Sequence, residues 1–327
     1  MSESVSPSVL NEMPAVSVVI PTFNSGRTIA RALKSILVQT YQNFEVVIAD
    51  DASRDDTRQQ VEKMADARVV FLPSAAETNQ GPAATRNRAL ARVRGDYIAF
   101  LDSDDEWLPE KLEKQVEFLN SHPACSIVVA NADDVAPDGR VIETEFASTK
   151  PQAGPEAWRV LLKYSFIETS SVMTRAALVR KVGGFDPRLL VSQDQDLWIR
   201  LALEGEVGIL DEVLGKIHQV PTGHMTRNRH RMADIMLPMI ERHVKAQAAR
   251  LSKKEVDAIL GARYQTVGQD MFVHRYYALG LKLLFKASMR QGNWARNLFY
   301  VCHANPLGIE TKRGVRAMLN MAKSSPT

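Results

Sequence analysis

Cysteine is nearly missing from this sequence: Cys125 and Cys302 are the only two in 327 residues. Two thiols cannot build a disulfide framework, and such sparse usage suits a reducing cytosol. Long hydrophobic runs are missing too. No uncharged apolar stretch approaches the roughly 18 to 20 residues that cross a bilayer, so the chain is expected to be soluble or to lie on a surface. Met1 to Asn11 has neither a basic start nor an apolar run, and no secretory signal is expected there. Also absent are a Gly-x-Gly-x-x-Gly after the first strand and a Walker A loop, which disfavours a dinucleotide cofactor and a P-loop cradle. Phosphate would have to be held by metal. No internal repeat or low-complexity tract is visible.

What is present is enough apolar material for a large core, 45% of the chain. The net charge of +3 hides an asymmetry. Residues 1–215 carry 22 Lys and Arg against 32 Asp and Glu, whereas 216–327 carry 19 against 6. An acidic body joined to a basic tail points to an anionic partner for the tail, a lipid surface or phosphate groups; a solvated basic helical face is the plainer alternative.

Val16 to Ile20 is a β-branched run stopped by Pro21, and Ile29, Leu33, Ile36 and Leu37 mark one face of a helix. Phe44 to Ala49 is a second strand ending at Asp50-Asp51. Such a βαβ unit makes the strands parallel and brings Thr22 to Asn24 beside Asp50-Asp51. Helices over Ser53–Ala65 and Ala83–Val93, with a strand at Arg68–Leu72 between them, continue the alternation, which predicts a doubly wound α/β domain. Further strands are expected at Ala124–Asn131, Glu168–Thr174, Val207–Leu210 and Leu214–Val220, with a hairpin turn at Pro137-Asp138-Gly139. A helix opens at Gln193, and from about Asp234 the pattern is helical.

The pivotal stretch is Tyr97 to Trp107. A buried strand, Tyr97 to Leu101, runs into Asp102-Ser103-Asp104-Asp105-Glu106, and a helix is expected behind Pro109. Ligands of open α/β sheets bind at the carboxyl ends of the strands, where Asp102 and Asp104 can aim hard oxygens at one divalent cation. Taken alone, an acidic turn more often caps a helix. Asp51, at the same edge, can accept from a base N–H or a ribose hydroxyl, or simply form its turn.

These segments together, Val18 to Asn24, Val47 to Ser53 with Asp55-Asp56-Thr57, Asn79-Gln80-Gly81 with Arg86-Asn87, Phe100 to Asp105, Val182 to Asp186 and Asp194 to Trp198, resemble the family 2 glycosyltransferases. The resemblance spans roughly residues 14–225 and implies the GT-A fold: a mixed, mainly parallel sheet flanked by helices, over 14–226, followed by a basic helical region, 227–327. It implies that Asp51 reads the nucleobase, that Pro21, Thr22, Phe23 and Asn24 line the nucleotide pocket, and that Arg86 and Ser103 lie near the nucleotide. Asp102 and Asp104 match the Asp-x-Asp element that binds Mn²⁺ or Mg²⁺ on the donor diphosphate, with Asp105 as an added ligand or support. Asp194 matches the general base. The family commonly has Glu-Asp where this chain has Gln193-Asp194, which puts the role of the preceding carboxylate in question. Gln193, Trp198, His218 and His224 are candidate diphosphate or acceptor contacts, in a stretch that also holds Lys216 and Thr226.

The implied activity is metal-dependent, inverting transfer from a nucleotide-diphosphate sugar, a uridine diphosphate sugar by expectation, to a glycan or lipid-linked acceptor in cell-surface polysaccharide synthesis. Two alternatives stay open: a non-catalytic glycan-binding or assembly subunit on the same fold, and a sugar nucleotidyltransferase, whose Gly-rich loop is missing. The expected setting is the cytoplasm, peripheral on the inner face of the cell membrane if the basic region docks on anionic lipid. A homodimer contact is the rival use of that region, and nucleic acid is not an expected partner.

Overall fold

A computed structural model describes residues 13–219 and 230–303. In chain order the elements are β1 (Val16–Thr22), α1 (Ile29–Leu37), β2 (Phe44–Asp50), α2 (Thr57–Glu62), β3 (Val69–Leu72), α3 (Pro82–Leu90), β4 (Tyr97–Phe100), β5 (Glu106–Trp107), α4 (Lys111–Ser121), β6 (Cys125–Val135) and β7 (Val141–Thr144). Then come α5 (Glu145–Ser148), α6 (Ala157–Lys163), β8 (Val172–Arg175), α7 (Ala176–Val182), α8 (Gln193–Ala202), β9 (Glu206–His218), α9 (Leu237–Ala246), α10 (Lys253–Val273), α11 (Tyr277–Gln291) and α12 (Trp294–His303). They group into two compact units: 13–158 with 166–219, and 159–165 with 230–303.

The first unit is built on one sheet in the order β3-β2-β1-β4-β8-β6-β9-β5, with β7 paired to β6. β1 runs parallel to β2 and β4, and β2 parallel to β3, so these strands present their carboxyl ends to one edge. β8 is antiparallel to β4 and β6, and β9 is parallel to β6. β1 and β2 are near-continuous apolar runs because helices cover both faces of a parallel sheet. Ile29, Leu33 and Ile36 of α1 pack into a core with Val18, Ile20, Val46, Ile48 and Ala99. Full burial of each such Leu or Ile contributes about 1.5–3 kcal/mol.

Three expectations are corrected. The helix behind the acidic turn starts at Lys111, not at Pro109, because Glu106 and Trp107 pair antiparallel with Lys216 and Gly215, and Leu108 N–H donates to Leu214 O at 3.0 Å. Glu168–Thr174 is not one strand: Thr169–Ser171 forms a 3-10 turn before β8. The two strands expected at 207–210 and 214–220 are one long strand, whose register against β6 shifts around Asn131. The hairpin turn expected at Pro137 to Gly139 does join two antiparallel strands, β6 and β7.

In the second unit α10 is opened by a capping box between Ser252 and Glu255. α10 and α11 cross closely at Gly268 and Gly280; a Cβ on Gly280 would lie 3.0 Å from Gly268 O and from Phe272 N. Arg263, buried in α10, donates to the carbonyls of Leu161 and Leu162, and its burial pushes the guanidinium down to about 9. Among the described residues no helix is long and apolar enough to cross a membrane.

Candidate active site

The parallel register brings the ends of β1, β2 and β4 together, and hydrogen bonds lace their loops. Asp51 N–H donates to Thr22 O at 2.8 Å, tying β2 to β1. Asn24 N–H donates to Ser53 Oγ at 2.8 Å, and Asn24 Oδ1 accepts from Arg54 N–H at 2.9 Å. Ser25 Oγ meets Ser103 Oγ at 2.7 Å, joining the first loop to the acidic turn. Asp55 accepts from Gly26 and Thr57; burial works against its ionisation, but these bonds hold the carboxyl below the usual range. β1 runs through Pro21 to Thr22, one residue past the stop expected there, and Phe23 stands exposed beyond it.

Asp51 is buried, and both of its oxygens accept backbone N–H bonds, from Gln80 at 2.8 Å and Gly81 at 2.9 Å. Gly81 has φ +90°, a left-handed conformation that turns the loop into Pro82 at the start of α3. α3 then delivers Arg86, 5% exposed, whose Nη2 donates to Asp102 Oδ1 at 2.6 Å and whose guanidinium lies over the Phe185 ring. Its Nε and Nη1 have no partner. Thr22 Oγ1, Arg31 Nε, Asp50 Oδ1 and Gln193 Oε1 are likewise buried without one. Leaving such groups unpaired is costly, on the order of 1–3 kcal/mol each, and their gathering at one edge fits a site that a polar ligand completes.

Within the acidic turn the three aspartates differ. Asp104 is raised by burial and then by the negative charge of Asp102, with Arg31 and His218 acting the other way; Arg31 Nη2 also donates to the Asp104 carbonyl. Asp105 is pushed well up by burial and by both neighbouring carboxylates. Its Oδ2 accepts from Ser170 Oγ at 2.5 Å and its Oδ1 from His218 N–H at 2.9 Å. Each Asp105 oxygen thus accepts one hydrogen bond from the protein, and the side chain braces the turn. Glu106 is held below the usual carboxylate range despite burial, because His218 and Lys216 bond to it.

Among the described residues no three His, Cys, Asp or Glu side chains converge as a ready metal cage. The chain offers two carboxylates, Asp102 and Asp104, with the remaining positions left to a ligand or water. That donor set suits Mg²⁺ or Mn²⁺, which are held by one or two carboxylates plus phosphate oxygens. A cation there would also relieve the repulsion that raises Asp104.

Three contributors escaped the sequence reading: Ser170, Thr169 and Arg31. Ser170 Oγ accepts from Asp102 N–H at 3.0 Å as well as donating to Asp105, and its carbonyl accepts from the Trp107 indole at 2.7 Å. Thr169 Oγ1 donates to Asp194 Oδ2 at 3.4 Å, so the acidic turn and Asp194 rest on adjacent residues of one 3-10 turn. The signal was there in three consecutive hydroxyls, Thr169-Ser170-Ser171, inside what reads as an apolar strand. Asp194 is the second residue of α8, behind Ser192, a non-glycine residue at φ 57°, and its Oδ1 accepts from Gln195 N–H at 2.8 Å. Gln193 is buried beside it.

Trp198 is fully buried in a cluster with Phe100 and Phe185, ring centroids 5.4 and 6.2 Å away, and its Nε1 is also without a partner. It is core. Asp196 is structural as well, since it pairs with Arg200, which donates to the carbonyls of Val182 and Gly184. His218 reaches the turn by its backbone, while its ring faces Glu106 Oε1 at 3.2 Å. His224 and Thr226 lie outside the described residues.

The model of the family described as glycosyl transferase family 2 matches residues 17–179. A glycosyltransferase assigned to teichuronic acid biosynthesis in Bacillus subtilis (strain 168) is 34% identical over 199 residues, 60% of this chain and 75% of that protein. An Escherichia coli UDP-Glc:alpha-D-GlcNAc-diphosphoundecaprenol beta-1,3-glucosyltransferase is 29% identical over 219 residues, 66% of this chain and 82% of its own. Among solved structures, a mannosyltransferase from Pyrobaculum calidifontis in complex with GDP-Man and Mn²⁺ superposes with a TM-score of 0.58 at 20% identity, covering 97% of this chain and 82% of that one. This last likeness is one of fold.

Proposed function

The chain belongs to glycosyl transferase family 2 and is a glycosyltransferase; on that premise we propose that it moves a sugar from a uridine diphosphate donor to a hydroxyl of a lipid-linked or glycan acceptor in polysaccharide synthesis, with inversion and with a divalent cation. The observation that supports the reading is the shared edge: Asp51 follows β2, Asp102 and Asp104 follow the neighbouring parallel strand β4, Arg86 pairs with Asp102, and Asp194 leans on the same 3-10 turn that fastens the acidic loop. The relatives' names support a nucleotide-sugar donor and a diphospholipid acceptor.

In this reading Asp51 accepts from the base, and Phe23, Pro21 and Asn24 wall the nucleotide pocket. Arg86 turns its unpartnered N–H groups toward diphosphate oxygens, and Ser103 lies beside them. Asp102 and Asp104 hold Mn²⁺ or Mg²⁺, which when bound offsets charge on the leaving diphosphate by several kcal/mol. Asp194 takes the proton of the acceptor hydroxyl as its oxygen bonds to the anomeric carbon, a contribution of about 10²- to 10⁴-fold. The electron pair of the breaking C–O bond leaves with the nucleoside diphosphate. Attack from the face opposite that group inverts the centre. Gln193 keeps the size of the family's usual Glu without its charge and is left to hydrogen-bond a hydroxyl of either substrate.

The test is release of UDP from UDP-sugars, with and without a GlcNAc-diphospholipid acceptor and Mn²⁺. Acceptor-stimulated release abolished by EDTA is expected. Tight nucleotide binding with no transfer to any acceptor would instead identify a glycan-binding subunit, and transfer by an Asp194→Asn variant at the native rate would remove the base assignment.

A further inference from the structure

The second unit carries a face that sugar transfer leaves unused. α11 buries Gly280, Leu283, Leu284, Ala287 and Ser288 along one stripe. At about 100° per residue, Leu281, Phe285 and Met289, which are 45%, 57% and 63% exposed, run from one flank of that stripe round to the side opposite it, and Lys282 and Lys286 occupy the rest of the outward side. Trp294 of α12, also exposed, meets Phe285 edge-on with ring centroids 5.2 Å apart, and exposed Tyr276 and Tyr277 extend the surface at its amino end. An ordinary surface helix carries charge along its whole outward side; here one half of that side is apolar. Contiguous apolar exposure of this kind marks a binding face.

Charge identifies the occupant. From Met271 to His303 the sequence contains no Asp or Glu, yet it holds Arg275, Lys282, Lys286, Arg290 and Arg296. Lys282 and Lys286 stand exposed beside Leu281 and Phe285, next round the helix, where long stems can lie along apolar surface while their heads reach the rim. We propose that this face docks on an anionic lipid bilayer: Leu281, Phe285, Met289 and Trp294 sink to the acyl boundary, and Lys282 and Lys286 meet acidic headgroups. The combination of apolar centre, aromatic rings and cationic flank is that of a helix lying in the interface. A second copy of the chain fits poorly, because a two-fold contact would set one basic rim, where Asp257 is already paired with Arg290, against another. The chain's own residues 304–327 fit poorly for the same reason, with Lys312, Arg313, Arg316 and Lys323 against Glu310 alone.

The proposal does not rest on sugar transfer, and its test needs no donor. Full-length protein is floated with phosphatidylcholine vesicles, with and without phosphatidylglycerol. Recovery with the acidic vesicles only, lost in high salt, is expected. Replacing Leu281, Phe285 and Met289 together by Ser should cut the bound fraction at least about tenfold with an unchanged melting midpoint. Lys282→Gln and Lys286→Gln should each cost about fivefold. The proposal fails if native protein stays unbound at low salt, or if the triple variant floats as well as the native chain. It fails equally if sedimentation shows a dimer of unbound native protein that the triple variant abolishes, which would make the face a contact between copies.

Discussion

The two ends of β1, β2 and β4 are made from the same polar ingredients and reach opposite balances. At the amino end the buried Glu45 has every need met: Oε1 accepts from Ser17 Oγ at 2.6 Å and Arg94 N–H at 2.8 Å, and Oε2 from Arg94 Nε at 2.7 Å. Ser17 Oγ also accepts from Gly95 N–H at 2.9 Å, a contact close enough that a Cβ on Gly95 would lie 2.8 Å from Ser17 N. At the carboxyl end Arg86 keeps two unpaired nitrogens, and Asp104 sits half-buried beside another carboxylate. One end is closed with protein alone. The other is complete only with something added, which is how a fold separates its stability from its chemistry.

That contrast can be broken by exchange of side chains at each end. The largest effect is expected from Asp104→Asn, which should lower metal-dependent transfer about 10³-fold and leave the thermal midpoint unchanged or raised, since a half-buried carboxylate beside Asp102 is removed. A fall in stability matching the loss of activity would end the distinction. Glu45→Ala should do the reverse, costing about 2–3 kcal/mol in urea unfolding while turnover per folded molecule is retained.

Ser170→Ala sharpens the comparison, because Ser170 belongs to the open end but touches only protein. Transfer should fall about tenfold, and the Mn²⁺ concentration for half-maximal activity should rise as the turn loosens. An unchanged metal titration with a lower melting midpoint would reduce Ser170 to a core hydroxyl. The smallest effect concerns Lys111, fully buried over the Trp107 ring with Nζ 2.6 Å from Gln115 Oε1. Burial holds its ammonium well below the usual lysine value of 10.5. Between the two values the unfolded chain binds the extra proton, so stability rises with pH there; below the lowered value both states are protonated and the penalty is fully present. Lys111→Met should flatten the rise of the urea midpoint on the alkaline side.

Much of the open end was legible in the sequence because it is written locally. The β-branched runs ending at Pro21 and Asp50, the Asp102-x-Asp104 spacing and the apolar periodicity of α1 each fit within a dozen residues and need no partner to be read. The supports were not legible, because they act across distance: Ser170 reaches Asp102 over 68 positions and His218 reaches Asp105 over 113. Hydroxyls and backbone N–H groups carry no periodicity. The packing of Trp198 was illegible for a related reason, since its ring partners Phe100 and Phe185 are distant in sequence. The early start expected for α4 gave way to tertiary pairing, with Trp107 drawn into the sheet by Gly215.

His218 fastens the end of β9 to the acidic turn through its main-chain N–H, not through its imidazole. Such a tether accepts any amino acid except proline. The sheet can therefore keep its grip on the turn while everything downstream is exchanged, so chimeras joined just after this position, carrying another relative's tail, should retain donor chemistry and inherit a new address.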